Sequence, residues 1–272
     1  MSNLNISVII STYNSEEWLE KVLESYKYQD YQNFEVIIAD DGSRASTKEL
    51  IDSYKADYPV DLRHIWHEDL GYRRQELLNK CIVETAYDYI LMTDGDCIAR
   101  KDFVSTHAKF AERGYFLSGG YLKLNMVTSK AIKLEDIKNG NCFSTKWLTE
   151  NGKITFKQSI KLKAKGNYAD FLDYLTPTGA TFNNCNSSAW KEDLIAINGY
   201  DERMQYGGPD RELGERLHNN GIKSKQIRHK AIVLHLDHPR GYKTKESIQK
   251  NEAIRGLTKV EKRIWTDYGI KK

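Results

Sequence analysis

Residues 6–43, ISVIISTYNSEEWLEKVLESYKYQDYQNFEVIIADDGS, carry the pattern that decides the fold. Residues 6–11 form a short β-branched run, which reads as a buried strand. Trp18, Leu19, Val22, Leu23 and Tyr26 then recur at helical spacing and make one apolar stripe. Asn14 precedes Glu17 at capping-box spacing and predicts the start of that helix. Residues 35–39 (EVIIA) are a second strand, ending in Asp40-Asp41-Gly42-Ser43, a turn composition.

The alternation continues outward. Ser46 and Glu49 have capping-box spacing and open a helix to about Lys55. Residues 61–67 read as a strand, 72–85 as a helix, and 89–93 (YILMT) as a strand running into Asp94-Gly95-Asp96. Residues 103–112 are helical again. Strands separated by helices predict an α/β chain with a mostly parallel sheet flanked by helices. Such a sheet binds its ligand at the carboxyl ends of its strands. That rule selects the loops 12–15, 40–43, 68–74 and 94–96, three of which carry acids or paired arginines.

The second half is less regular. Residues 122–165 are polar, Lys-rich and poorly periodic, with one possible helix near 131–138. Residues 190–197 look helical and stop at Gly199. Residues 212–220 are a short helix ended by Gly221, and 225–236 read as strand. No linker composition separates two domains. Residues 1–272 therefore read as a single domain whose halves share one sheet.

Composition excludes several classes. The 272 residues include 41 Lys and Arg against 38 Asp and Glu, a formal net charge of +3. That is too little for a nucleic-acid partner, which needs a strong basic face. With 40% hydrophobic and 29% charged residues the chain is not disordered. No apolar run approaches the roughly 18 residues of a membrane span, and residues 1–5 lack the layout of a signal peptide. Cys81, Cys97, Cys142 and Cys185 match no zinc or disulfide spacing, which suits reduced thiols in the cytoplasm. The positive charge is uneven: residues 153–165 hold five lysines and no acid, and residues 259–272 five basic and two acidic residues. Both segments read either as a solvated face or frayed end, or as an attraction for an anionic acceptor or membrane surface.

The chemistry-bearing residues sort next. There is no G-x-G-x-x-G after the first strand and no P-loop, which argues against a dehydrogenase and a P-loop kinase. Asp94 and Asp96, one residue apart after an apolar strand, suit a hard cation shared with phosphates, or are a plain Asp-Gly turn. An EF-hand is excluded because Ile98 and Ala99 would fill the fifth and sixth loop positions, where Asp or Asn and Gly are required. His235 and His238 face opposite ways if the strand continues through them, so they need not share a metal. His64 and His67 lie inside a predicted strand and read as structural. Asp210, in the loop Tyr206-Gly207-Gly208-Pro209-Asp210-Arg211-Glu212, stands either as an N-cap or as a functional carboxylate.

At this point the ordered set resembles a family. SVIISTYN, EVIIADDGS, GYRRQELLN and DGD resemble the family-two glycosyltransferases of the GT-A fold. Residues 184–213, NCNSSAWKEDLIAINGYDERMQYGGPDREL, are similar to the C-terminal half of galactosyltransferase-type and chondroitin-polymerase-type enzymes. The resemblance implies a nucleotide-sugar half, 1–117, and an acceptor half, 118–272. It implies a nucleotide site at Thr12, Tyr13, Asn14, Asp40, Asp41, Arg73, Arg74, Asn79, Asp94 and Gly95. It implies Mn²⁺ or Mg²⁺ on Asp96 and His235, with Asp94 adjoining and His238 second to His235. It implies Asp210 as catalytic base of an inverting transfer and Glu212 as a supporting or acceptor carboxylate. The donor implied is a UDP-sugar. The acceptor is a glycan or lipid-linked glycan of bacterial-type surface polysaccharide, made in the cytoplasm with possible peripheral membrane contact. An inactive glycan-binding relative and a sugar nucleotidyltransferase are the alternatives. Two positions depart from the pattern: Pro209 stands where Glu is usual, and Leu78 precedes Asn79 where Arg is usual.

Overall fold

The computed structural model describes residues 3–239 and 243–272. The elements run β1 (Ile6–Thr12), α1 (Glu16–Lys27), β2 (Phe34–Asp40), α2 (Ala45–Lys55), β3 (Leu62–Trp66), α3 (Arg74–Glu84), β4 (Tyr89–Asp94), β5 (Cys97–Ala99) and α4 (Phe103–Phe110). They continue β6 (Tyr115–Ser118), β7 (Gly120–Lys123), α5 (Met126–Ala131), α6 (Leu134–Lys138), α7 (Thr145–Glu150), α8 (Phe156–Lys163) and α9 (Gly166–Tyr174). Last come β8 (Ser187–Trp190), α10 (Lys191–Ala196), α11 (Pro209–Asn219), β9 (Lys223–Gln226), β10 (Ile232–His235) and α12 (Lys245–Val260).

Seven strands form one sheet in the order β3-β2-β1-β4-β8-β6-β9, and β5-β10-β7 form a small second sheet. β1 lies parallel between β2 and β4, with Thr12 opposite Asp40 and Ser11 opposite Asp94. Every residue of β1 and β2 is buried, as expected of strands covered by helices on both faces. Two apolar clusters fill the two sides: Val8, Leu19, Leu23 and Val36 on one, Ile9, Ile37, Leu77 and Met92 on the other. The main sheet passes from the first half of the chain into the second through the antiparallel pairing of β4 with β8.

Several local expectations are corrected. Asn14 does not cap α1; Ser15 precedes that helix, with no side-chain cap. Asn14 instead takes a left-handed φ of 45° and accepts from the backbone N–H (3.0 Å) and Nε (3.2 Å) of Arg44. Ser46 lies inside α2 and donates to Glu16 at 2.5 Å. In both cases a partner distant in sequence outcompetes the local cap.

β8 was hidden in the polar run SSAW. Its buried Ser188 is satisfied by Tyr89 Oη (2.8 Å) and His107 Nδ1 (2.7 Å). The helix expected over 190–197 begins after it. The strand expected over 225–236 is two strands with a turn between. Residues 126–174 hold five short helices rather than one, anchored by Ile132, Ile137, Leu148 and Leu162 in the first core cluster. Nor are residues 259–272 a frayed end. Asn198 Nδ2 donates to the carbonyls of Thr266 (2.7 Å) and Lys271 (2.9 Å), and Thr266 donates to Asp201 (2.9 Å).

Candidate active site

β1 and β4 end side by side, and the site grows from that edge. Ser11 donates to Asp94 Oδ1 at 2.9 Å, and Arg74, at the first turn of α3, donates to both residues. Burial opposes the Arg74 charge, but the adjacent Asp94 more than offsets it and keeps the guanidinium charged. Gly95 turns the chain tightly: its N–H bonds Ser11 O at 2.8 Å, and a Cβ there would stand 3.0 Å from that oxygen.

Asp96 sits one step further. β10 pairs with β5 so that His235 lies opposite Cys97, and Leu236 N–H bonds Asp96 O at 2.8 Å. The chain then leaves the strand, which brings His238 back to Asp96, Nε2 to Oδ2 3.0 Å. The two rings stack at 5.7 Å, and ligand atoms of Asp96, His235 and His238 all lie within 4.8 Å of one another. The expectation that the histidines face opposite ways is corrected, because the strand ends at His235 and period-two alternation ends with it. Each ring anchors Nδ1 on a backbone carbonyl, Leu236 O at 2.8 Å and Pro239 O at 2.9 Å. A neutral ring that donates its Nδ1–H in this way would present Nε2 as a metal ligand. Burial opposes ionisation of Asp96, yet the His238 bond and the neighbouring His235 outweigh it and hold the carboxyl below its usual range. Asp94 also comes within 4.8 Å of Asp96 and Cys97, but its Oδ1 is occupied by Arg74 and Ser11.

The opposite wall comes from the second half. Gly208, at φ 88°, stands at the N-cap of α11, with Pro209 at N1. Asp210 is therefore not the cap; it lies inside the first turn. Its Oδ1 accepts from Arg211 N–H at 2.8 Å and its Oδ2 from Asn184 N–H at 3.4 Å. Thr93, near the end of β4, donates to Cys185 O at 3.2 Å and so ties this wall to the Asp94 edge. Burial raises the Asp210 pKa, the Asp94 charge adds to that, and the N–H donors and Arg74 only partly offset it.

Other sequence-selected residues serve the scaffold. Asp40 is fully buried; it accepts from Ser43 N–H (2.8 Å) and bonds His64 (2.9 Å). Asp41 bonds His67 at 2.7 Å and accepts from Arg73 N–H at 3.3 Å. Burial raises its pKa despite His67. Both carboxylates are thus held by partners of the scaffold. Arg73 turns its side chain to Glu76. Asn79 is buried and clamps Tyr200 and Glu202, so it positions residues 200–202 and does not face a nucleotide. Tyr13 is half exposed and donates to Asp69 at 2.8 Å. Glu212 is the clearest correction. It is enclosed by Arg216 (2.8 to 3.0 Å) and Thr258 (2.8 Å), with no surface for an acceptor.

Sequence reasoning missed Gln75 and Asn184. The Nδ2 of Asn184 and the Oγ1 of Thr12 are buried without a partner among the described residues, and neither buried amide atom of Gln75 has a partner in good hydrogen-bond geometry, although Tyr72 lies beside it. An unpaired buried polar atom costs about 1–3 kcal/mol, so four such atoms on three residues mark a surface that a polar ligand completes. The only sequence signal was the place of Gln75 after two arginines.

Comparison with known proteins fits this geometry. Residues 7–167 match the glycosyl transferase family 2 and residues 169–239 match the N-terminal domain of galactosyltransferase. The chain belongs to glycosyltransferase family 2 and is a glycosyltransferase. It is 28% identical to the uncharacterized glycosyltransferase YfnE of Bacillus subtilis, over 92% of this chain and 69% of that one. It is 25% identical to chondroitin synthase of Pasteurella multocida over 80% of this chain, but spans only 23% of that protein. It is 27% identical to validoxylamine A glucosyltransferase of Streptomyces hygroscopicus over 80% of this chain and 48% of that one. Among solved structures it superposes on S. aureus TarS 1-349 in complex with UDP-GlcNAc, with TM-score 0.62, 16% identity, and 95% and 69% coverage. The mannosyltransferase PcManGT of Pyrobaculum calidifontis, in complex with GDP-Man and Mn²⁺, gives 0.58, 16%, and 94% and 61%. The fold is GT-A, as the sequence implied.

Proposed function

We propose that the protein transfers a sugar, with inversion, from a UDP-sugar to a hydroxyl of a glycan or lipid-linked glycan acceptor. The reading rests on one observation: Asp210 is held at the same sheet edge as the Arg74–Asp94 pair and the Asp96–His235–His238 cluster. A relative in complex with UDP-GlcNAc and another with GDP-Man and Mn²⁺ support a nucleotide-sugar donor. Residues 1–117 bring the donor edge and residues 118–272 bring Asp210, the histidines and the acceptor side.

Two imidazoles and a carboxylate within 4.8 Å fit Mn²⁺ that also binds phosphate oxygens, and fit the oxygen-seeking Mg²⁺ less well. When bound, the ion supplies positive charge against the departing diphosphate. The chain's residues supply the rest. Arg74 fixes Asp94 at the donor edge, and Thr12, Gln75 and Asn184 offer donors and acceptors to the bound molecule. A sugar hydroxyl is a poor nucleophile at neutral pH, so a positioned base should take its proton during attack. Asp210 is that base: its raised pKa brings its basicity closer to neutral pH, and two backbone N–H groups orient it.

The pathway we infer is bacterial-type surface polysaccharide synthesis, such as lipopolysaccharide or capsule, at the cytoplasmic face of the membrane. Among the described residues no helix is long and apolar enough to cross a membrane. Exposed Lys153, Lys157, Lys163 and Lys165 lie in the same stretch as exposed Phe156, Tyr168, Phe171 and Tyr174, a composition that suits peripheral contact.

The test is nucleotide release from a panel of UDP-sugars, with and without Mn²⁺, in the presence of candidate glycan acceptors. Acceptor-stimulated UDP release is expected. No thermal shift and no turnover with any UDP-sugar would remove the reading.

A further inference from the structure

Lys161 is one of the five lysines of residues 153–165, yet it is not a solvated side chain. Its Nζ donates to Tyr121 O at 3.1 Å, where α8 crosses the start of β7. The space it fills exists because residue 120 is glycine: a Cβ there would lie 2.8 Å from Lys161 Nζ and 2.1 Å from the Arg228 carbonyl oxygen. Arg228 contributes a second cation beside it. Its Nη1 donates to Thr178 Oγ1 at 3.0 Å, and its Nε is buried without a partner among the described residues. No carboxylate of the described residues pairs with either cation. Asp173, whose charge Lys161 feels, is already bonded to His229 (2.7 Å) and Lys230 (2.6 Å). Burial and the neighbouring Arg228 push the Lys161 ammonium down to about 8. Two adjacent cations without a counterion are costly in a folded chain unless a ligand supplies the negative charge.

The position indicates which ligand. β7 and β10 are parallel, with Gly120 opposite Ile232 and Lys123 opposite His235. Lys161 therefore stands at the start of the strand pair and the metal cluster at its end, roughly 10 Å on by three residues of strand rise. A diphosphate held at the histidines belongs to the far end. Tyr121 spans the interval. It is 40% exposed, its ring lies 5.9 Å from Lys161 Nζ and 6.2 Å from the His235 ring, and it feels the charges of Arg211, Arg228 and Asp210. Tyr121 thus links the two cations to the neighbourhood of Asp210.

We propose that Lys161 and Arg228, with Tyr121 as the platform between them and Asp210, form a subsite for an anionic group of the acceptor, a carboxylate or a phosphate. The proposal rests on the glycosyltransferase reading above and names the chemical class of its acceptor.

The experiment is calorimetric titration of the protein, loaded with UDP and Mn²⁺, with glucuronate, inorganic phosphate and glucose. Wild type should bind an anion and not glucose at the same concentration. Lys161→Met and Arg228→Gln should each weaken that binding at least about tenfold, as loss of a charge pair would. Lys161→Arg should restore it, and UDP affinity should stay unchanged throughout. Glucuronate alone binding assigns a uronate, phosphate alone a phosphodiester, and both a general anion subsite. Arg228→Gln keeps the test open if Lys161→Met does not fold. No anion binding to wild type, or binding indifferent to all three substitutions, overturns the proposal. Failure of UDP to bind would instead count against the donor reading; the same titrations on the unloaded protein then decide the subsite.

Discussion

Asp210 and Glu212 stand two residues apart in one turn of α11, yet the two faces of that turn do opposite things. Glu212 looks inward. Arg216 holds it bidentately and reaches on to the carbonyls of Ile197 (2.5 Å) and Gly199 (2.6 Å), so the pair fastens the helix to the loop before it. Asp210 looks outward, with backbone N–H donors and, among the described residues, no cation in hydrogen-bond contact, and burial raises its pKa. A satisfied carboxylate builds; an under-satisfied one at a cleft is available for chemistry. Residue type and spacing are alike, and the donor set separates them.

Asp210→Asn should produce the largest effect, a fall in kcat of roughly 10²–10⁴-fold, with UDP and Mn²⁺ binding retained. Because the folded carboxyl is raised, its stabilising protonated form is lost as pH rises through that value. The variant should therefore melt no lower than wild type at neutral pH. In wild type, transfer should fall as pH drops through the same raised value, and the acid limb should lie above that of an ordinary aspartate. Glu212→Gln should do the reverse. It strands a buried Arg216 and should cost about 3–5 kcal/mol in denaturant unfolding, while turnover per folded molecule is unchanged. Asp96→Asn should abolish the metal-dependent part of stabilisation, about 2.7 kcal/mol in wild type at a hundredfold excess of Mn²⁺ over its Kd. Thr258→Val is the mildest: loss of the bond to Glu212 should cost about 1.5 kcal/mol and leave turnover intact. An activity loss in Thr258→Val or Glu212→Gln that exceeds the loss of folded protein would erase the distinction between the two faces.

The same contrast explains what the sequence disclosed. β1, β2 and β4 were legible because strands buried on both faces are continuous apolar runs, and the strand-end rule then picked out Asp94 and Asp96. β8 was not, because Ser187 and Ser188 are buried polar residues whose partners, Tyr89 and His107, come from afar. The helices of residues 126–174 are too short to show a period. Within the site, motif resemblance selected Asp40, Asp41 and Asn79 along with Asp94, but only packing shows that His64, His67 and Tyr200 have already claimed the first three. His64 and His67 read as structural from spacing, and they are structural as partners of the acidic pair. Gln75 and Lys161 were hardly legible, since what distinguishes them is a missing counterpart: a well-placed hydrogen-bond partner for the Gln75 amide and a carboxylate for the Lys161 ammonium among the described residues.

The docking of residues 266–271 onto Asn198 bears on the order in which the molecule becomes native. Ile270 N–H bonds Asn198 O at 3.1 Å, and Gly269 leaves no room for a side chain against that carbonyl. Asn198 is synthesised 68 residues before Thr266, which it holds. The parallel strands of the first half are complete long before that and can form during translation. The loop between α10 and α11 waits for the last of these residues to emerge. A nascent chain stalled short of Thr266 should thus carry a finished β1–β4 edge and an unfastened loop before Asp210.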